Sequence, residues 1–229
     1  MTAARSSKPA RLGRRFFDRP TARVARDLLG AELTVAGPGG RRTVRLVETE
    51  AYVGRDPANR AYRGPTPRNR SMFGRPGTVY VYRIHRVVCA NLVTRPGEAV
   101  LLRAGAPLVG VRERPSGPGR LCRALGITID DDGADATIGR RFRFDPRDRG
   151  RFEVVVGRRV GIRRAAGRLL RFAVAGDPWV SRPAPGLTPR RLSATSPTRS
   201  RAGGRSRRSR TRRRRPSGGG TSAGRTGGR

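Results

Sequence analysis

The sequence predicts an α+β fold, and three observations carry that prediction. Segments with the alternation and β-branched content of strands follow one another with no helix between them, which favours α+β over a βαβ repeat. Only two segments have helical spacing. At 229 residues the chain has room for one domain of ordinary size with tails.

The elements follow in order. Residues 21–33 set Val24, Leu28 and Leu29 at helical spacing behind a threonine N-cap candidate, predicting a helix. Residues 43–52 alternate and are rich in β formers, predicting a strand. Further strands are predicted over 79–93, 99–104, 141–144, 152–156 and 169–175. Residues 118–125 predict a short helix with proline near its start. Residues 37–40, 55–66 and 111–117 are dense in Gly, Pro and charge and read as loops. There is no internal repeat.

Composition narrows the function. Lys+Arg total 52 against 16 Asp+Glu, a formal net charge of +36, and Lys8 is the only lysine. Such an excess fits a polyanionic partner, nucleic acid first and an anionic membrane surface second. One lysine, 31 glycines and abundant Arg, Ala and Pro also match GC-rich codons, so part of the charge reads as solvated surface. Cys89, Cys122 and His85 are too few for a Cys/His zinc site or a disulfide framework, and no metal or cofactor is expected. No uncharged apolar run approaches the ~20 residues of a bilayer span. Arg14-Arg15-Phe16-Phe17 resembles an export signal, but Asp18, Arg19, Arg23, Arg26 and Asp27 occupy the place of its apolar region. A soluble cytoplasmic protein, associated with the nucleoid, is expected.

Three regions separate by composition. Residues 1–11 are a polar basic lead expected to be disordered; residues 12–182 hold nearly all the large apolar residues and all the acids. Residues 183–229 are rich in arginine and have no acid and no aromatic residue. That segment cannot bury enough apolar surface to offset ordering entropy, so disorder is expected there too. Its arginine run at 205–215 reads either as a phosphate-binding arm or as a solvated tail.

Few side chains could do chemistry. Period-two alternation places Val44, Leu46, Glu48 and Glu50 on one strand face. A carboxylate ending a strand with an apolar inner face is partly desolvated, which raises its pKa toward the range of a general base. Exposed carboxylates paired with arginine are the plainer reading of that strand alone. Tyr80 and Tyr82 share a face of one strand and Tyr52 ends another. In a basic protein such a cluster can stack on an extruded base, and it can equally be an aromatic core. His85 could be a general base in some other hydrolase, but no Ser or Cys nucleophile motif accompanies it. Cys89 and Cys122 read as buried apolar residues.

Taken together, these segments carry a resemblance. The ordered set is LGRRFFD (12–18), VETEAYVG (47–54), Asp56-Pro57, AYRG (61–64), TPRN (66–69), Met72-Phe73, GTVYVY (77–82) and Asn91. It continues with VLLRA (100–104), GPGRLCRALGI (117–127), RVGI (159–162) and GDPWVS (176–181). Over residues 12–182 the chain resembles the alkyladenine-type 3-methyladenine DNA glycosylases. The resemblance implies a single compact domain on a curved, mostly antiparallel sheet with flanking helices, acting without a cofactor. Its partner would be double-stranded DNA containing damaged purines, and a monomer is expected.

The resemblance also implies roles. Glu50 would deprotonate the attacking water, with Arg103 and the backbone carbonyl of Val160 helping to hold it. Tyr52 would stack on the flipped base, Tyr82 would pack against its other side, and Asn91 would line the floor and disfavour the amino group of guanine. The reaction is hydrolytic excision of an alkylated purine in base excision repair, leaving an abasic site. A glycosylase that also nicks DNA usually does so through a Schiff base on an amine, so with Lys8 alone a monofunctional enzyme without lyase activity is expected. Three departures matter. Arg60 stands where the family has a histidine that contacts the bound base. His85 stands where the family has the tyrosine that serves as DNA wedge, and Arg86 replaces the next glycine. The connection at 114–117 is also shorter than usual. Arg60 and Arg86 motivate an alternative, a lesion- or DNA-binding protein on the same fold with weak or lost excision. An RNA-associated protein dominated by its tail is a third reading.

Overall fold

The structure, a computed structural model, describes residues 11–146, 150–182 and 188–189. Apart from Arg11 and Thr188–Pro189, the lead and tail expected at 1–11 and 183–229 lie outside the described residues. Two short helices, α1 (Arg14–Phe17) and α2 (Thr21–Asp27), precede five strands: β1 (Glu32–Gly37), β2 (Gly40–Tyr52), β3 (Val79–Ile84), β4 (Val87–Arg95) and β5 (Glu98–Val109). Then come α3 (Pro118–Leu125), β6 (Phe142–Asp145), β7 (Val154–Gly157), β8 (Arg171–Val174) and β9 (Thr188–Pro189). The strands pair antiparallel in the order β3-β4-β5-β2-β8-β7-β9, with β1 joining β2 to β6. The α+β class and the curved antiparallel sheet are as expected. Among the described residues no helix is long and apolar enough to cross a membrane.

Two elements differ from expectation for identifiable reasons. The helix predicted over 21–33 stops at Asp27, and Pro20, not Thr21, holds its cap position. The Thr21 hydroxyl instead bonds Thr94 and Glu98. Gly30 adopts φ +83° and donates its N–H to the Leu46 carbonyl, so the chain leaves the helix and joins the sheet as β1. The strand predicted over 79–93 is a hairpin, β3 and β4, reversing at His85-Arg86 with His85 at φ +52°. Such turns ordinarily carry Gly, Asn or Asp, and their absence hid the reversal. By contrast α3 has the predicted bounds, entered from Gly117 and stopped by Gly126 in the left-handed region.

Strict alternation along β2 fails at one residue. Leu46 pairs with Gly105 and Glu48 with Ala104, so Val47 is extra: a β-bulge. A second extra residue, Arg103 on β5, lies between Ala104, which pairs with Glu48, and Leu102, which pairs with Thr49. Val44 and Leu46 face the main core; beyond the bulge Ala51 does so, and the Thr49 hydroxyl donates to the Ala25 carbonyl of α2. Glu48, Glu50 and Tyr52 therefore turn to the opposite face. The two glutamates share a face with each other, as alternation predicts, but not with Val44 and Leu46. At the same place β2 changes neighbour, from β1 over residues 40–45 to β8 over 48–50.

The main core lies between the helices and one face of the sheet. Ala90 and Leu92 of β4 and Val100 and Leu102 of β5 lie there on the strands that α2 and α3 cover, and Val79 and Val81 of β3 join the same cluster. The alternate residues of the same strands point the other way, and they build the site.

Candidate active site

On that second face, four adjacent strands each contribute a pair. β3 presents Tyr80 and Tyr82, β4 Cys89 and Asn91, β5 Leu101 and Arg103, and β2 Glu50 and Tyr52. They surround a cavity of about 490 Å³ whose wall also includes Arg60, Met72, His85, Val160 and Ile162. That volume suits a ligand of purine size. Of the eight site residues expected from the sequence, seven line this cavity. Glu50, the eighth, is fully buried one layer beneath the wall.

Three wall residues hold the Glu50 carboxylate. The Tyr52 hydroxyl donates to Oε2 at 2.9 Å, the Val160 N–H donates to Oε1 at 2.8 Å, and Arg103 Nη1 lies 3.3 Å from Oε1. Val160 thus meets Glu50 through its N–H, a contact separate from the water-holding role that the resemblance implies for its carbonyl. Among the described residues Oε2 accepts only from Tyr52, which leaves a lone pair for a further donor. Burial pushes the Glu50 carboxyl above its ordinary value, against the opposing pull of Arg103, Val160 and Tyr52. Burial, reinforced by the neighbouring Glu50, raises the Tyr52 phenol, so it stays a donor across the physiological range.

Behind Glu50 lies a network that no local pattern announced. Glu48 is fully buried and accepts from Arg103 Nε at 2.7 Å, Arg171 Nε at 2.8 Å, Ser181 N–H at 2.7 Å and the Ser181 hydroxyl at 2.9 Å. Two carboxylates and two guanidiniums balance in charge, which a buried cluster requires. Arg103, the bulged residue of β5, bridges both glutamates and is thereby locked. The guanidinium of Arg159 lies 4.6 Å from the centre of the Tyr52 ring, donates to the Ala51 carbonyl and pairs with the buried Asp56 at 2.6 Å. The sequence placed Glu48 on the face of Glu50 and offered arginine pairing for both, and Asp56, Arg159 and Ser181 stood within the ordered motifs, but nothing in the pattern brought them together or pointed to Arg171.

The remaining predicted residues are placed as follows. Asn91 is buried on the floor and donates from Nδ2 to the Tyr80 carbonyl at 3.1 Å. Tyr82 packs on Tyr80 with ring centres 5.4 Å apart, and burial raises the Tyr80 phenol to about 12. Arg60 does not turn away from the cavity: its guanidinium sits over the Tyr82 ring, 4.0 Å from the centre. His85 is exposed at the hairpin tip between Ile84 and Val87, themselves 41% and 46% exposed. Cys89 and Cys122 are buried and free.

A flat, aromatic-walled slot above a desolvated carboxylate, at the edge of a basic domain, is a site for a ring bound beside a hydrolytic centre. Comparison with known proteins identifies the class. The methylpurine-DNA glycosylase family matches residues 15–178, and the chain belongs to that family of N-glycosyl hydrolases of DNA repair. It is 44% identical over 183 residues to a Rhizobium etli protein named "Putative 3-methyladenine DNA glycosylase", covering 74% of this chain and 88% of that one. Proteins of the same name from Anaeromyxobacter dehalogenans and Methanoculleus marisnigri are 45% and 43% identical. Those matches cover 76% and 73% of this chain, and 88% and 96% of the respective relatives.

Proposed function

We propose that this protein is a monofunctional glycosylase that flips alkylated purines of the 3-methyladenine type out of duplex DNA and hydrolyses their bond to the sugar, leaving an abasic site. The observation that carries this reading is the buried Glu50 carboxylate with one oxygen still open, held between Tyr52, Arg103 and the Val160 N–H beneath a base-sized cavity. A purine alkylated at N3 or N7 is cationic, so its bond to C1′ is already weak. The transition state has oxocarbenium character and needs a nearby negative charge and a placed water. Glu50 supplies the charge and takes the water's proton, its raised pKa making it the better base. Arg103, locked by Glu48, helps orient the water together with Val160. Tyr52 stacks on the flipped base, and Tyr82, with Arg60 lying over its ring, closes the slot on the other side. The Asn91 amide presents a donor to the floor, which disfavours the amino group of normal guanine. His85 fills the gap left in the duplex, whose opening costs a few kcal/mol and less at a damaged pair. The enzyme acts as a monomer in the cytoplasm, at the nucleoid. Lys8 is the only lysine, and arginine cannot form a Schiff base, which supports the monofunctional reading.

The test is excision from duplex DNA bearing one damaged purine, followed by hot alkali. Breaks should depend on alkali and fall by about 100-fold or more in Glu50→Gln, as for loss of a general base. Breaks without alkali would exclude the monofunctional reading. Tight, lesion-selective binding with no breaks would support the binding protein instead.

A further inference from the structure

The cavity holds a permanent cation beside the ring it is built to receive. Arg60 lies in the segment after β2, which is tied down from within. Asn59 Nδ2 donates to the Val53 and Gly97 carbonyls at 2.9 and 2.8 Å, and its Oδ1 receives the Ala61 N–H at 3.0 Å. Asn69 Nδ2 donates to the Arg60 carbonyl itself at 3.1 Å. With its backbone so fixed, Arg60 lays its guanidinium over the Tyr82 face. Arg103, the other arginine in the wall, is neutralised by Glu48 and Glu50, whereas Arg60 has no ion-pair partner among the described residues.

We infer that Arg60 is a specificity-determining residue: its charge over Tyr82 shifts excision away from cationic purines and toward neutral damaged purines with a hydrogen-bond acceptor on the ring edge. The inference rests on the glycosylase reading above. Cation–π attraction between Tyr82 and a bound cationic base would be the natural use of this ring, but Arg60 already occupies the face. A cationic purine entering the slot meets a like charge at close range; solvent screens part of it because Arg60 is exposed, but either the base or the guanidinium must still move off the ring. A neutral purine carries no such penalty, and a guanidinium N–H can donate to its O6 or N7.

The chemistry points the same way. As the bond from C1′ to N9 breaks, its electron pair goes to the purine. The water oxygen bonds to C1′, and the released proton goes to Glu50. A cationic purine departs neutral and needs no counter-charge. A neutral purine departs as an anion, later protonated from Glu50 or solvent, and a fixed guanidinium at its edge stabilises that developing charge.

The experiment compares the full chain with Arg60→His, Arg60→Gln and Arg60→Lys on duplexes carrying one hypoxanthine or one 7-methylguanine. Single-turnover rates at saturating enzyme and binding affinities are measured separately. Arg60→His and Arg60→Gln should move the ratio of hypoxanthine to 7-methylguanine excision by about tenfold or more toward 7-methylguanine. The lesions should respond differently, with a slower hypoxanthine step and tighter 7-methylguanine binding. Arg60→Lys, which keeps the charge, should stay within about threefold of the parent ratio. A ratio unmoved in Arg60→Gln, equal losses on both lesions, or a Lys variant behaving like the Gln variant would overturn the inference and leave the glycosylase reading intact. A parent protein that excises neither lesion would overturn the inference, and one that also leaves 3-methyladenine in place would overturn both.

Discussion

Glu50 sits where a carboxylate is costly, and its neighbours decide how much of that cost becomes reactivity. Desolvation raises its pKa, while Arg103, the Val160 N–H and the Tyr52 hydroxyl act to lower it. A base must be ionised to act, so with Glu50 in the proposed role the excision rate should fall as pH drops through the Glu50 pKa, on a limb above the ordinary glutamate range. Tyr52→Phe keeps the stacking ring and removes one of the groups that favour the ionised form. The acid limb should therefore move to higher pH, and the rate on that limb should drop roughly fivefold, the worth of ~1 kcal/mol of hydrogen bonding. Single-turnover rates measured across pH check this; a limb that stays put or moves to lower pH would mean that the phenol does not tune Glu50.

Among the elements, the pairing of β2 with β5 governs the site. Without the extra residue at Val47, period two would carry Glu48, Glu50 and Tyr52 to the helix-facing side, where they would meet a dry apolar core. The extra residue Arg103 on the facing strand aims its guanidinium at the same carboxylates. The close approach of the strands just before the bulge depends on Gly105, whose added Cβ would lie 2.7 Å from the Val44 Cβ and 3.2 Å from the Arg45 carbonyl oxygen. Gly105→Ala should therefore destabilise the domain by about 1–3 kcal/mol through overpacking. Thermal unfolding checks this, with a fall in Tm of ~2–4 °C expected per kcal/mol. An unchanged Tm would show that the strands can separate there at no cost.

For the whole molecule, the formal charge of +36 supplies sequence-independent attraction to phosphates and so must fall steeply with salt. The site itself is built from residues within 50–162, whereas much of the excess arginine lies in 183–229. Removing 190–229, beyond β9, should leave single-turnover excision at low salt within about twofold of the full chain. Non-specific duplex affinity should weaken, and the plot of log K against log salt should flatten by roughly 0.9 for each phosphate that the tail had neutralised. Loss of excision at low salt would instead make the tail part of the working site and would favour the tail-dominated reading.

Local pattern was enough to read the strand character of β2, the bounds of α3 and the shared face of Tyr80 and Tyr82, because each rests on residues close in the chain. Strand pattern alone raised Glu50, Tyr52 and Tyr82 as candidates, but only the ordered motifs decided for them and added Asn91 and Arg103, since a carboxylate or a tyrosine alone is equally at home on a surface or in a core. Four things were decided by tertiary structure. The bulge at Val47 depends on register against β5, and the hairpin at His85-Arg86 lacks turn-forming residues. The Glu48 cluster gathers Arg171 and Ser181 from 123 and 133 residues away. The Arg60 guanidinium lies over Tyr82, a residue of another segment. The physical reason is that each of the four depends on which segments meet in space, through strand register, hairpin reversal, ring contact or the burial of charge among distant partners, and none of these leaves a periodic trace along the chain.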